Sequence, residues 1–331
     1  MSHDLRFARR DFLKAVAASA AIAAVPFATT NASAQTPKEI RVDFATYNPV
    51  SLVLRERGIL EKALAPEGVS VRWIQSAGSN RALEFMNAGS LDFGSTAGAA
   101  ALIGRVNGNP IRSIYVFSRP EWTALVTTDK SGIAKVADLK GKRVAVTRGT
   151  DPHIFLIRAL AEAKLTERDV RLVLLQHQDG KLALERGDVD AWAGLDPLMA
   201  AAELESGAKL FHRKAADNTW GILNVREDFA QKNPALVRAV LKAYDEARAW
   251  ALANPAELRK VLTDFTKLPE PVVARQLERT ELNHGPLGQA QVDTIVAAGE
   301  ALKLAGVLPA TTDVPAQVDA LFDRRFTAAS R

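Results

Sequence analysis

Residues 75–100, QSAGSNRALEFMNAGSLDFGSTAGAA, constrain the fold more than any other stretch, because they hold two strand-to-helix turns in succession. Val69, Val71 and Trp73 alternate with polar residues just ahead, the pattern of a strand with one buried face. Ala77-Gly78-Ser79-Asn80 then supplies turn residues, with Ser79 or Asn80 as N-cap of a helix carrying Ala82, Leu83, Phe85 and Met86. Asn87-Ala88-Gly89 ends that helix, and Leu91-Asp92-Phe93-Gly94 makes a short strand. Ser95-Thr96-Ala97-Gly98 opens the next helix. Two such turns place two helix N-termini on one edge of a parallel sheet, the edge where open α/β sheets bind ligands. Bare N–H groups at a helix start favour an anion or a ligand oxygen. The order returns later: Arg186-Gly187-Asp188-Val189-Asp190 mirrors Ala88-Gly89-Ser90-Leu91-Asp92, and no other internal repeat is visible.

Size and charge narrow the class. A chain of 331 residues holds about two domains of ordinary size. Hydrophobic residues at 47% and charged residues at 24% exclude a disordered or a membrane-embedded chain. The net charge is +5, of which residues 1–34 contribute +2 through four Lys/Arg against two Asp. The remaining +3 is too mild to argue for a nucleic-acid partner. Zero cysteines exclude disulfides, thiolate metal sites, a cysteine nucleophile and a lipid anchor on cysteine. The five histidines have no metal-ligand spacing.

Residues 1–34 read as an export signal. Arg9-Arg10-Asp11-Phe12-Leu13-Lys14 resembles the twin-arginine pattern. An Ala-rich segment over 15–28 and the small-residue site Ala32-Ser33-Ala34 before Gln35 complete it. A general secretory signal that happens to contain Arg-Arg is the alternative, and either route ends in the periplasm.

Ile40, Val42 and Phe44 alternate with Arg41 and Asp43 as a first strand. Tyr47-Asn48-Pro49 follows, then a helix over 50–64 with Gly58 inside it or at its end. Either Tyr47 and Asn48 reach a ligand, or Asn48-Pro49 only breaks the strand and starts the helix. Segments 111–117 and 124–127 read as strands around Arg119-Pro120-Glu121-Trp122, and 143–146 as another. Asp151 at an N-cap with Pro152 at the first helical position starts a helix over 154–163. Strands over 173–176, 191–194 and 209–212 and a helix over 181–186 follow. Beyond Arg226 the chain is helical, with Leu236, Val237, Val240, Leu241 and Tyr244 forming a buried stripe.

These phrases carry a family resemblance. AGSNRALEFMNAGSLDFGSTAGAA resembles the first-lobe ligand segment of periplasmic binding proteins of the sulfonate/nitrate/taurine class, which feed ABC importers. VADLKGKRVAV resembles the start of their second lobe, and ERGDVDAWAGLDPLMAAAE resembles their "xxGxVDAWxxWDPxxAxAE". Trp220-Gly221-Ile222-Leu223-Asn224-Val225 is similar to the crossover back to the first lobe, and NPALVRAVLKAYDEARAWALANPAEL to the C-terminal helix pair. Thr147 to His153 resembles "KGSNVH": Thr150 matches the Ser and His153 the His, while Asp151 replaces the Asn. A carboxylate there either repels a sulfonate nearby or is a cap facing away from the ligand.

The resemblance implies an α/β, two-lobed periplasmic-binding-protein fold of type II, each lobe a mostly parallel sheet flanked by helices, with ligand in the interlobe cleft. Its parts would be 38–127 for the first lobe, 128–221 for the second with a crossover near 127–128, and 222–331 for the return. The implied function is the solute-binding component of an ABC importer, a monomer without cofactor or metal that meets a membrane permease and ATPase complex. The ligand would be a small organic anion, a sulfonate first, then a nitrate-like ion, taurine or an aromatic heterocycle. A pyrimidine-precursor synthase on the same fold is the enzymatic alternative, disfavoured by the missing cysteine. The family's "TG(D/E)APP" aligns with residues 96–101, where Gly98 and Ala99 leave no carboxylate for an amino group, whereas Asp151 points the other way. Asn48, Ser79, Asn80, Thr96, Thr150 and His153 are the expected ligand contacts. Trp122, Trp192 and Trp220 are either cleft walls or packing, and Asp196 is either a contact or the N-cap ahead of Pro197.

Overall fold

The computed structural model describes residues 37–326. The export-signal features at Arg9-Arg10 and Ala32-Ser33-Ala34 lie outside them. The chain builds two sheets. Strands β1 (Glu39–Phe44), β2 (Ser70–Gln75), β3 (Phe93–Ala97) and β4 (Ile111–Pro120) enter the first. Strands β5 (Leu125–Thr127), β6 (Arg143–Val146), β7 (Arg171–Leu174), β8 (Ala191–Ala193) and β9 (Lys209–His212) make the second. The chain then returns to the first with β10 (Gly221–Arg226) and β11 (Thr280–Glu281). The orders are β11-β4-β10-β3-β1-β2 and β7-β6-β8-β5-β9. The chain thus crosses at 121–124 and again at 213–220, so the first crossing precedes residues 127–128, where the sequence had suggested it. Pairs β1–β2, β1–β3, β6–β7 and β6–β8 are parallel, whereas β5 and β10, which arrive from the opposite sheet, run antiparallel to their neighbours.

Helices α1 (Pro49–Glu56), α2 (Ile59–Leu64), α3 (Ser79–Asn87) and α4 (Gly98–Val106) flank the first sheet. Helices α5 (Asp151–Glu162), α6 (His177–Arg186) and α7 (Leu198–Ser206) flank the second. The expected single helix over 50–64 is broken, because Gly58 takes a left-handed φ of 60° that restarts the chain as α2. The C-terminal part adds α8 (Glu227–Lys232), α9 (Pro234–Ala253), α10 (Pro255–Thr266), α11 (Glu270–Glu278), α12 (Gln289–Leu304) and α13 (Val314–Leu321). In α9, Leu236, Val237, Val240, Leu241 and Tyr244 are buried, and α9 packs on α1 and α2. Asn233-Pro234 and Asn254-Pro255 start α9 and α10 at the positions where a missing N–H costs nothing.

The internal repeat has a structural cause. Asp92 accepts from Arg41 N at 2.8 Å, Nε at 3.0 Å and Nη2 at 2.6 Å, pinning the approach to β3 against the start of β1. Asp190 does the same to Arg143 of β6, with N at 2.8 Å, Nε at 3.3 Å and Nη2 at 3.0 Å. Both arginines also reach back to the glycine carbonyl of the same turn, Gly89 and Gly187. With Asp92 so held, β3 runs over 93–97 rather than 91–94, and α4 begins at Gly98.

On the second sheet, alternate residues divide between two cores. Leu125, Val144 and Val146 meet Phe155, Leu156 and Leu160 of α5. Val126, Ala145 and Trp192 meet Leu184 of α6 and Met199 of α7. The first-sheet core is larger and also takes Ile154, Ile157 and Leu195 from the second-sheet side.

Gly98 sits where α4 touches both α12 and the second crossing. A Cβ there would lie 2.5 Å from Ile295 Cδ1 and 2.5 Å from the Thr219 carbonyl oxygen. Gly98→Ala is therefore expected to lower stability by about 1–3 kcal/mol through overpacking. Urea unfolding checks it: the midpoint should fall while the slope stays unchanged.

Candidate functional site

Between the two sheets lies a small space with a cavity volume of about 10 Å³, room for little more than a water molecule. Tyr47 and Ser79 face it from the turns of the first sheet, and Trp122 from the first crossing. Thr150, Asp151, Pro152, His177 and Leu195 face it from the second sheet. Among the described residues, no Lys or Arg lines it.

Most polar groups there are held by partners from other parts of the chain. Tyr47 donates its hydroxyl to Ser95 O at 3.0 Å and meets Trp122 edge to face, with ring centroids 5.9 Å apart. Ser79 is the first residue of α3 rather than its cap, since Gly78 precedes it in extended backbone. Ala97 N donates to Ser79 Oγ at 3.0 Å, so the Ser79 hydroxyl keeps its own hydrogen to give. The first N–H groups of α3 have no carbonyl upstream in the helix. Thr150 caps α5 by position and donates its hydroxyl to Thr147 O at 2.7 Å, which leaves it an acceptor. The second N-terminus expected at the ligand edge, that of α4, is already satisfied: Gly98 N donates to Thr219 O at 2.9 Å and Ala99 N to Thr219 Oγ1 at 3.0 Å.

Asp151 is neither a free cap nor an outward-facing one. It accepts from Trp122 Nε1 at 2.8 Å, from Thr219 N at 3.0 Å and from Thr219 Oγ1 at 2.6 Å. Burial raises its pKa, and the bonds from Thr219 and Trp122 pull it back. It therefore ties the two crossings to the start of α5 at the wall of the space.

Other expected contacts are engaged elsewhere. Asn48 caps α1, accepting from Ser51 N at 3.1 Å and donating to Ser95 Oγ at 2.8 Å. Thr96 lies in β3, not at a helix start, and accepts from Asn224 Nδ2 at 2.8 Å. His153 turns to Glu167 at 2.9 Å, with its other ring nitrogen facing Gly149 N. Trp192 is fully buried in β8 against Met199 and Leu184, hence packing. Asp196 accepts from Ala200 N at 2.9 Å at the start of α7 and meets Arg279 at 3.4 Å. Trp220 packs on the C-terminal segment, with Nε1 3.3 Å from Thr294 Oγ1 and its ring edge-on to His284. Asn80, second in α3, keeps a buried Oδ1 without a partner.

Sequence reasoning missed His177. The strand β7 ends at Leu174 and α6 begins at His177, so this turn delivers a histidine where a helix over 181–186 was expected. His177 Nδ1 lies 3.2 Å from Thr147 Oγ1, and burial pushes its pKa down to about 4. The spacing to the Arg186-Gly187 turn marks a helix of ordinary length starting near 177, a signal that was available.

A model described as NMT1/THI5 like matches residues 64–258, more than half of the chain. The chain belongs to the NMT1/THI5-like family. Among its relatives is the "Putative aliphatic sulfonates-binding protein" of Escherichia coli K12, 29% identical over 249 residues, covering 75% of this chain and 77% of that one. The structure resembles the alkanesulfonate-binding protein SsuA of Xanthomonas axonopodis pv. citri bound to MOPS, with TM-score 0.77 and 25% identity over 82% of this chain and 95% of that one. The periplasmic aliphatic sulphonate binding protein SsuA of Escherichia coli matches with TM-score 0.73 and 26% identity, covering 85% and 92%. The fold is thus that of the periplasmic binding proteins, and all three of these relatives are binding proteins by name. No helix among the described residues of this family member is long and apolar enough to cross a membrane.

Under the site, Asp43 accepts from Ser95 N at 2.9 Å and Ser95 Oγ at 2.8 Å, and burial raises its pKa to about 6. An acid raised in the fold costs stability when ionised, and that cost is relieved as pH falls through 6 toward the unfolded value. Wild type should therefore gain on the order of 1 kcal/mol over Asp43→Asn between pH 7.5 and pH 5. Urea titrations of both proteins at the two pH values measure that difference.

Proposed function

We propose that the protein is the extracytoplasmic solute-binding component of an ABC importer, and that it captures a small organic anion, most simply a short-chain sulfonate. The observation that carries this reading is the small space between the two sheets. The Ser79 hydroxyl and the open N-terminus of α3 face it, in a chain whose relatives are named for sulfonates. A helix N-terminus and a hydroxyl suit anion oxygens without a counter-cation. On this reading the two sheets with their helices act as lobes that close about the crossings at 121–124 and 213–220. Release to the permease and ATPase complex follows reopening, binding involves no catalysis, and the protein works as a monomer.

Export would follow the Arg9-Arg10 signal, with cleavage near Ala34. Replacing Arg9 and Arg10 with Lys should abolish export by the twin-arginine route, read as loss of the protein from the periplasmic fraction. Unchanged export would assign the general secretory route instead.

Binding is tested on the chain from Gln35, unfolded and refolded to strip any carried ligand, in a thermal-shift screen of alkanesulfonates, taurine, aromatic sulfonates, nitrate and dicarboxylates. A ligand that binds only the folded state at a hundred times its Kd stabilises by about 2.7 kcal/mol. Short alkanesulfonates should raise the Tm, and Ser79→Ala should weaken that binding about ten- to a hundredfold through loss of one hydrogen bond to a charged group. A shift seen only with a neutral or cationic heterocycle would retain the fold and remove the sulfonate assignment.

A further inference from the structure

We infer that His177 is a specificity residue of this cleft, selecting a ligand that brings an N–H or O–H donor in addition to its anionic head. The inference rests on the solute-binding reading above and narrows its ligand class.

The argument begins with one hydroxyl hydrogen. Thr147 Oγ1 lies 2.8 Å from Leu175 O and 3.2 Å from His177 Nδ1. A carbonyl oxygen only accepts, so the Thr147 hydrogen goes to Leu175, and the hydrogen between Thr147 and His177 must come from Nδ1. The ring is neutral at pH 7, since burial holds its pKa near 4. Nε2 therefore carries a bare lone pair. His177 is 3% exposed and lines the space, and Nε2 has no hydrogen-bond partner.

Nε2 points across to the first-sheet side. A Cβ on Gly78 would lie 3.0 Å from it, so glycine is what lets the two sides approach here. Asn80 Oδ1, also buried and unpartnered, is 2.9 Å from that same point. Two unpartnered acceptors thus lie close to Gly78, one of them on His177, which lines the space. A buried acceptor left unsatisfied costs about 1–3 kcal/mol, which a donor on the ligand would recover. The neighbouring groups have the same polarity. Thr150 has given its hydrogen to Thr147 O, and Asp151 is a carboxylate. The side chains of Thr150, Asp151 and His177 on the second-sheet wall offer acceptors, while the Ser79 hydroxyl and the first N–H groups of α3 supply donors. A ligand with an anionic head and a nearby hydroxyl or amino group complements both; an unsubstituted alkanesulfonate complements one.

The test is isothermal titration of the stripped protein with ethanesulfonate, 2-hydroxyethanesulfonate and 2-aminoethanesulfonate, in wild type and His177→Phe. Wild type should bind at least one donor-bearing probe about tenfold or more tighter than ethanesulfonate. In His177→Phe that ratio should fall to about one, with His177→Gln, which keeps an acceptor, retaining part of it. A wild-type ratio of one overturns the inference, as does a preference that persists in His177→Phe. The first of these results is what an Asn80 amide turned to donate to Nε2 would give. A second measurement needs no ligand: two-bond 1H–15N correlations of the histidine side chains at neutral pH, with the His177 signal assigned by its loss in His177→Gln. Hydrogen on Nδ1 alone is expected, and hydrogen on Nε2 overturns the inference. Failure of all three sulfonates to bind would sink the sulfonate reading, and the tautomer measurement would still decide the role of His177.

Discussion

The Asp151 carboxylate is the constraint on which the arrangement of the two halves depends. Its bonds to Trp122 Nε1, Thr219 N and Thr219 Oγ1 join the start of α5 to both segments that cross between the sheets. Thr219 in turn uses its carbonyl and its hydroxyl to satisfy the first N–H groups of α4. One buried acid thus organises a helix start on each side and the two strands of chain between them. The cost of burying it is offset by three donors, not by a contacting cation, with Arg158 supplying only longer-range attraction. The residue that looked most like an obstacle to anion binding is the fastener of the cleft wall, and its charge is largely directed into that fastening.

Much of the architecture was legible because it follows from local patterns. Strand β6 follows from Arg143, Val144, Ala145 and Val146 with their flanking turns, and α9 from a stripe at helical spacing bounded by Asn-Pro pairs. The Asp92 and Asp190 echo was visible as a repeat, and its meaning is an arginine clamp at the start of a neighbouring strand, made twice. What local reading could not supply was register. Ser95 and Thr96 look like helix-start residues. They lie in a strand because Asp43 takes Ser95 N, and Asn224 takes Thr96 Oγ1, across the sheet.

The site was less legible, for the same physical reason. Whether a polar side chain faces a ligand depends on which partners the fold has already given it, and those partners are distant in sequence. His153 matches a family pattern but is engaged by Glu167, and Asn48 is used up by Ser51 and Ser95. Ser79 stays available because its one internal bond is an acceptance. His177 sits in a stretch without a recognisable motif. Its significance arises only when Thr147, Leu175 and Gly78 are brought around it.

The contacts that hold the halves together away from the ligand bear on how binding would be coupled to closure. Arg279, at the C-terminal end of α11, reaches Asp196 and Glu203 on the second-sheet side, and Arg275 reaches Glu203 at 3.0 Å. Beside them Val272 packs on Ala200 and Ala201. Opening the cleft would return these charges to water, which compensates most of the lost attraction, so the ion pairs set geometry more than they set the balance. Exposing Ile154, Ile157 and Leu195, which share the first-sheet core, has no such compensation. On the proposed reading, the apolar seam would favour a closed form, and the polar cleft would oppose it by leaving acceptors such as His177 Nε2 unsatisfied. On the same proposed reading, a ligand that satisfied those acceptors would remove the opposing contribution, and the groups proposed to select the ligand would also couple it to closure.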